Sequence, residues 1–295
     1  MEAVLTILTD TVGDTLRLLP FLFLTYLALE ALEHKAGDKA KAAIAKAGAG
    51  GPAIGAVVGV FPQCGFSAAA ATFYAGRVIT LGTMFAVFLS TSDEMLPICI
   101  ANQVDIGVIL KILGLKLLIG MLMGFLIDGV FRVLYRRSGR VYGAGEHRIH
   151  DLCEQDNCDC YSGKGGILRS AVKHTLQVTL YIFLVAIVLN ALIVFVGEEA
   201  FAGFLSANPE LSVFASALAG LVPNCAASVV ITQLYLEGVL STSAMMAGLL
   251  VAAGVGLLVL FRSNRHLKEN LAILAGLYVI GVLWGLLFSV SGIVF

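Results

Sequence analysis

The residues of this chain best suited to chemistry are two thiols, each set in the same local frame. The stretch Gly59-Val-Phe-Pro-Gln-Cys64-Gly-Phe-Ser67 returns as Gly220-Leu-Val-Pro-Asn-Cys225-Ala-Ala-Ser228, with Gly, Pro, Cys and Ser in register and an amide between Pro and Cys each time. Thiolates bind soft metals and trivalent arsenic. The neighbouring amides and hydroxyls can replace a substrate's hydration shell. Proline has no N–H to donate and disfavours helix at the residue before it, so each frame marks a helix break. Within a bilayer, the freed backbone groups are tolerated only against protein or a wet cavity. Gln63, Cys64, Ser67, Asn224, Cys225 and Ser228 are therefore the candidate substrate ligands. The plainer reading makes the prolines kinks and the cysteines small buried hydrophobes.

A second constellation is Ser90-Thr91-Ser-Asp93-Glu94-Met-Leu-Pro97, inside an apolar run. An Asp at the centre of a membrane helix costs on the order of 2.5–3.5 kcal/mol. Such carboxylates should face a cavity, hold a cation or a proton, or pair with a base. Thr91, Asp93 and Glu94 are candidates for ion coupling, with Asp93 and Glu94 also able to bind a cationic substrate. The alternative is a structural ion pair with Lys111 or Lys116. His174, which titrates near neutral pH, is a further coupling candidate; with Lys173 it also suits a snorkelling interfacial position. Glu30 and Asp128 are expected at the membrane interface.

The polar stretch 136–168 contains His147, His150, Cys153, Cys158 and Cys160, five soft or borderline ligands in fourteen positions. Cys/His ligation suits Zn²⁺ or another soft metal, although the spacing matches no standard zinc finger. The expected role is capture or sensing beside the membrane, with no cofactor required for transport itself. A flexible loop with incidental cysteines is the competing reading.

These residues sit in a chain that is 59% hydrophobic, 13% charged and has a mean hydropathy of +0.93. Soluble domains carry roughly 25% charged residues, so an all-α polytopic membrane protein is expected. No Lys or Arg precedes the first apolar run, so no signal peptide is expected. The net charge of −1 gives no reason to expect a nucleic-acid partner. Apolar runs fall at approximately 12–32, 51–75, 78–101, 105–135, 169–197, 211–236, 238–262 and 270–294. Residues 136–168 divide the chain into halves, 1–135 and 169–295. Besides the twin Pro-x-Cys frames, Asp14-Thr-Leu aligns with His174-Thr-Leu, and Gly120-Met-Leu-Met-Gly124 with Gly281-Val-Leu-Trp-Gly285. A near-constant offset through a whole half-chain indicates an internal repeat.

Basic residues then set the expected orientation. They cluster at Lys35, Lys39, Lys41 and Lys46, at Arg132, Arg136, Arg137 and Arg140, and at Arg262, Arg265 and Lys268. All three clusters share one side only if 51–75 and 211–236 are re-entrant hairpins folded at Pro-x-Cys. Each arm of ~11 residues would rise ~16 Å, enough to reach the bilayer middle. The expected architecture is thus an inverted-topology repeat of six full spans plus two hairpins, or ten helical passes.

The frames around Cys64 and Cys225, together with Thr91-Ser-Asp-Glu-Met-Leu-Pro97 and Lys173-His-Thr175, resemble a family of bacterial permeases over nearly the whole chain. That family is described as ten-span heavy-metal exporters and is also labelled arsenic efflux proteins or manganese transporters. The resemblance implies export of a metal or metalloid across the bacterial cytoplasmic (inner) membrane. The residues themselves suggest a secondary transporter working by alternating access, not an enzyme. No Gly-x4-Gly-Lys-Ser/Thr motif points to ATP, and no His-Glu-x-x-His motif to an intramembrane metalloenzyme. The expected partners are the lipid bilayer and a small inorganic or organic substrate, with no ATPase subunit; a homo-oligomer is left open. Two alternatives stand: an organic or inorganic anion held at the half-helix N-termini, and a membrane metal sensor using residues 147–160.

Overall fold

The computed structural model describes residues 11–13, 15–16, 18–20, 22–27, 50–92, 94–137, 166–196 and 211–293. These are helical with short connections and contain no strand, and five stretches are long and apolar enough to cross a membrane. They are Leu81–Ala101, Ile106–Leu134, Ala171–Val188, Thr242–Ser263 and Leu267–Ser291. The chain is an all-α protein built for a membrane.

Among the described residues after 50 there are eleven helices: α1 Gly51–Gly59, α2 Cys64–Ala75, α3 Leu81–Ser90, α4 Met95–Ala101, α5 Ile106–Arg137, α6 Gly166–Val196, α7 Ser212–Gly220, α8 Cys225–Leu236, α9 Thr242–Val251, α10 Val255–Ser263 and α11 Leu267–Ser291. The starts of α1, α2, α3 and α5 recur, 161 residues on, as those of α7, α8, α9 and α11. Packing recurs with them. The helices α1, α3 and α5 pack together, and so do α7, α9 and α11. Gly124 of α5 shows how tight the first trio is, because a side chain there would meet Gly82 O at 2.6 Å and Pro52 Cβ at 2.9 Å. Gly285 of α11 is its counterpart, closed in by Ala247 Cβ and Val213 Cγ1, both at 2.7 Å. Between the halves, α2 lies along α10 and α8 meets α4.

The breaks have local causes. At Pro62 the chain makes a tight turn in which Gln63 N–H donates to Phe61 O at 2.8 Å. At Pro223 the Asn224 N–H donates to Val222 O at 2.7 Å, the same three-residue turn around a proline. Gln63 and Asn224 are both extended, and α2 and α8 begin immediately after them. A third break separates α9 from α10 at Gly254, whose φ of 54° is strained for any residue with a side chain.

Contacts give the direction of the first pair of arms. Gly51 lies against Thr83, Gly55 against Thr83 and Val87, and Gly59 against Val87 and Ser90, so α1 and α3 run parallel. Twelve helical residues of α2 rise ~18 Å. Residues 76–80 can reach the start of α3 only if α2 turns back. In the second half Val213 meets Gly285 beside Ala247, and Gly220 meets Gly248, which gives the same course.

Burial separates centre from rim. In Thr242–Ser263, 94% of the apolar window is buried, against 28% in Ile106–Leu134. The α9–α10 element is the core of the molecule. The helix α5 turns Leu110, Leu118, Leu122, Leu126 and Val130 outward, a surface that water would not favour and lipid would.

Candidate functional site

The two Pro-x-Cys turns meet. Cys64 Sγ lies 3.2 Å from Cys225 Sγ with no disulfide between them, and both residues are half-buried. Each cysteine opens a helix, so the first-turn N–H groups of α2 and α8 converge on the same place. Asn224 uses its side-chain oxygen to accept from Ala226 N–H at 3.4 Å, whereas the Gln63 side chain makes no such cap.

Glu94, half-buried, completes the cluster. Its carboxylate and the two sulfurs all lie within 4.8 Å of one another. It stands at the break between α3 and α4, as the residue before Met95. The cluster therefore offers two sulfurs and one carboxylate, drawn from three helix breaks in two halves. Position 255, the repeat-mate of Glu94, is a valine, so the carboxylate is contributed from one side only.

The serines of the twin frames hydrogen-bond within their own helices. Ser67 Oγ donates to Cys64 O and Ser228 Oγ to Cys225 O, both at 2.8 Å, and both residues are buried. They tie down the first turn of α2 and α8. Ser67 also marks the contact between halves, because a side chain on Gly256 of α10 would meet Ser67 Cβ at 2.8 Å.

Thr91, the C-cap of α3, is buried and its hydroxyl donates to Val87 O at 2.7 Å. Its own carbonyl accepts from Lys116 Nζ. Lys116 enters the sequence reading only as a salt-bridge partner, yet it is 1% exposed in the first half of α5 and also donates to Leu249 O at 2.9 Å. Lys111 is exposed. His174 is 3% exposed and stacks on Tyr26, with ring centroids 5.4 Å apart, so it is no snorkelling interfacial residue. Asp128, expected at the interface, lies at the end of the α3–α4 span but is packed into the protein there. It is 2% exposed and accepts from Gly82 N–H at 2.9 Å and Thr80 Oγ1 at 2.7 Å, which anchors the start of α3. Asp93, Glu30 and the loop ligands His147, His150, Cys153, Cys158 and Cys160 lie outside the described residues.

A separate polar group joins the halves away from the thiols. Arg77, between α2 and α3, pairs with Glu269 of α11 through two bonds of 2.7 and 2.8 Å, and Tyr74 donates to the same carboxylate. The hydrogen bonding to Glu269 holds the Arg77 guanidinium above its ordinary range. Arg77 has φ 57°, whereas its repeat-mate is Gly238 with φ 75°. An arginine therefore stands where the duplicated backbone calls for glycine. The signal was present in the sequence, as an Arg opposite a Gly in the repeat.

No protein-family model, curated protein or solved structure matches this chain.

Proposed function

We propose that the chain is a secondary transporter for a metal or metalloid ion bound between the two Pro-x-Cys turns. One observation carries this reading: Cys64, Cys225 and Glu94 bring two sulfurs and a carboxylate within 4.8 Å, from two halves of a duplicated chain. Soft thiolates with one carboxylate suit Zn²⁺-like ions and trivalent arsenic better than hard cations. Two sulfurs on a tetrahedral Zn²⁺ at ~2.3 Å stand ~3.8 Å apart, so binding would spread the 3.2 Å pair by about half an ångström. Glu94 supports this reading over an anion at the helix N-termini, because its negative charge opposes an anionic ligand at the same place.

The reading includes an inverted repeat with re-entrant hairpins. Support comes from the Arg77–Glu269 pair, which joins the start of the α3–α4 span to the end of α9–α10. Two spans that share a face at opposite ends run in opposite directions, as inverted repeats require. Arg132, Arg262, Arg265 and Lys268 belong to the same ends as Arg77, which makes that face the cytoplasmic one by the positive-inside rule. Export as the direction, and a bacterial inner membrane as the place, rest on the family resemblance.

The test is binding of arsenite, Zn²⁺ and Mn²⁺ to purified protein, followed by flux in proteoliposomes. Cys64→Ser with Cys225→Ser is expected to weaken binding of the preferred ion by at least ~100-fold, and Glu94→Gln by about 10-fold. Undiminished affinity in the double variant would remove the thiols from the site.

A further inference from the structure

Lys116 is a charged side chain buried where two broken helices end. Thr91, whose carbonyl it bonds, is the C-cap of α3, and Leu249 lies in the last turn of α9. These helices belong to different halves and meet at these ends. A helix C-terminus carries roughly half a negative charge, so two such ends converge on one ammonium group. The free carbonyls have few other partners: Ala252 N–H takes Gly248 O, and Thr91 N–H takes Val87 O, which leaves Thr91 O and Leu249 O to the lysine.

Unwound carbonyls and half-helix C-termini are also where duplicated transporters hold a coupling cation. We propose that the Lys116 ammonium is a tethered cation occupying the place of a coupling metal ion. The chain then needs no Na⁺ or K⁺ between α3 and α9. The place is single, because the repeat-mate of Lys116 is Leu277, fully buried in the apolar core. The word coupling rests on the transporter reading; the cation place rests on the two carbonyls alone.

The distinction from a purely structural tie is measurable. A tie lost by substitution weakens the protein equally in every salt. A cation place emptied of its lysine is refilled by an ion of the right size. Thermal unfolding of the purified full chain is followed through its single tryptophan, Trp284, in NaCl, KCl or choline chloride at matched ionic strength. Wild type is expected to melt at the same temperature in all three. Lys116→Ala is expected to melt lower in choline and to gain ~3 °C or more in Na⁺ or K⁺ at ~10 times the ion's Kd, with saturation. Equal melting of Lys116→Ala in all three salts overturns the proposal, as does saturable stabilisation of wild type by Na⁺ or K⁺. Should Lys116→Ala be unrecoverable in every salt, Lys116→Ser is measured identically, and its indifference to the cation overturns the proposal. Both arms read ion binding, so absence of metal flux would strike the transporter reading and leave this result standing.

Discussion

The two corners where a broken-helix arm returns to its neighbour have nearly the same backbone and different chemistry. At the first, Tyr74 and Arg77 grip Glu269, and Asp128 accepts from Thr80 and Gly82. At the second, Tyr235 is retained, but Gly238 replaces Arg77, Ser289 replaces Asp128, and Val108 stands where a partner acid would be. Here Tyr235, Gly238, Ser241, Thr242 and Ser289 help line an open cavity of about 440 Å³. The turns recur at the constant offset, and the side chains on them differ. Among the described residues, the Arg77–Glu269 tie of the first corner has no counterpart at the second. Under the transporter reading proposed above, the tied end would hold closed more strongly.

Removing the tie should have the largest effect. Glu269→Ala leaves a guanidinium and a phenol hydroxyl without their acceptor in a half-buried place, and is expected to cost ~3 kcal/mol. The companion result sharpens the comparison. Arg77→Gly should be more stable than Arg77→Ala by ~1 kcal/mol, because only glycine accepts the left-handed backbone freely. Denaturant unfolding of the three variants in one detergent checks both. Equal stability of Arg77→Gly and Arg77→Ala would show that the backbone at this corner relaxes. Thiol labelling of Cys64 and Cys225 from the tied side should accelerate in Glu269→Ala if the tie is what closes that face.

Asp128 is next. Its carboxylate takes the N–H of Gly82 and the Thr80 hydroxyl, so Asp128→Ala is expected to cost ~2 kcal/mol. Ser289→Ala, at the related position, should change stability by less than ~0.5 kcal/mol. A similar cost at both positions would mean that the corners are more alike than their hydrogen bonds indicate.

Much of the architecture was legible from residue types because it follows from backbone rules. Pro62 and Pro223 cannot continue a helix, and the constant spacing of the frames made the repeat readable without coordinates. The pairing of Cys64 with Cys225 was anticipated as two turns approaching one another. The place of Glu94 beside them was not. In sequence it is one of two adjacent carboxylates, and nothing in the spacing says which faces the thiols. The burial of Asp128 was not legible for a related reason: distance along a helix locates depth, whereas burial depends on what packs against that face. Lys116 was invisible as a helix-end cation because its partners are backbone carbonyls, which every residue possesses.

Gly238 offers a smaller test of the same contrast. With φ 75° and open space around the missing side chain, Gly238→Ala should cost ~1 kcal/mol through backbone strain alone. Adding Gly238→Arg and Val108→Glu together would attempt to build the missing tie. The pair should recover part of the strain that Gly238→Arg causes alone, read as a coupling energy in a double-mutant cycle. No coupling would show that these two positions do not face one another as Arg77 and Glu269 do.

The smallest expected difference concerns the two N-caps, Thr80 and Ser241. Both accept a hydrogen bond from the helix they open, Thr80 from Thr83 N–H at 3.2 Å and Ser241 from Ala244 N–H at 3.3 Å. Capping alone is worth ~1 kcal/mol, so Ser241→Ala should cost about that or slightly less at its exposed site. Thr80 has a second duty, donating to Asp128. Thr80→Ala should therefore exceed Ser241→Ala by ~0.5–1 kcal/mol. That excess belongs to the carboxylate, so it should vanish when Asp128→Ala is already present while the capping cost remains. An excess that survives in the Asp128→Ala background would assign it to the threonine methyl instead, and the polar contrast between the corners would rest on Arg77 alone.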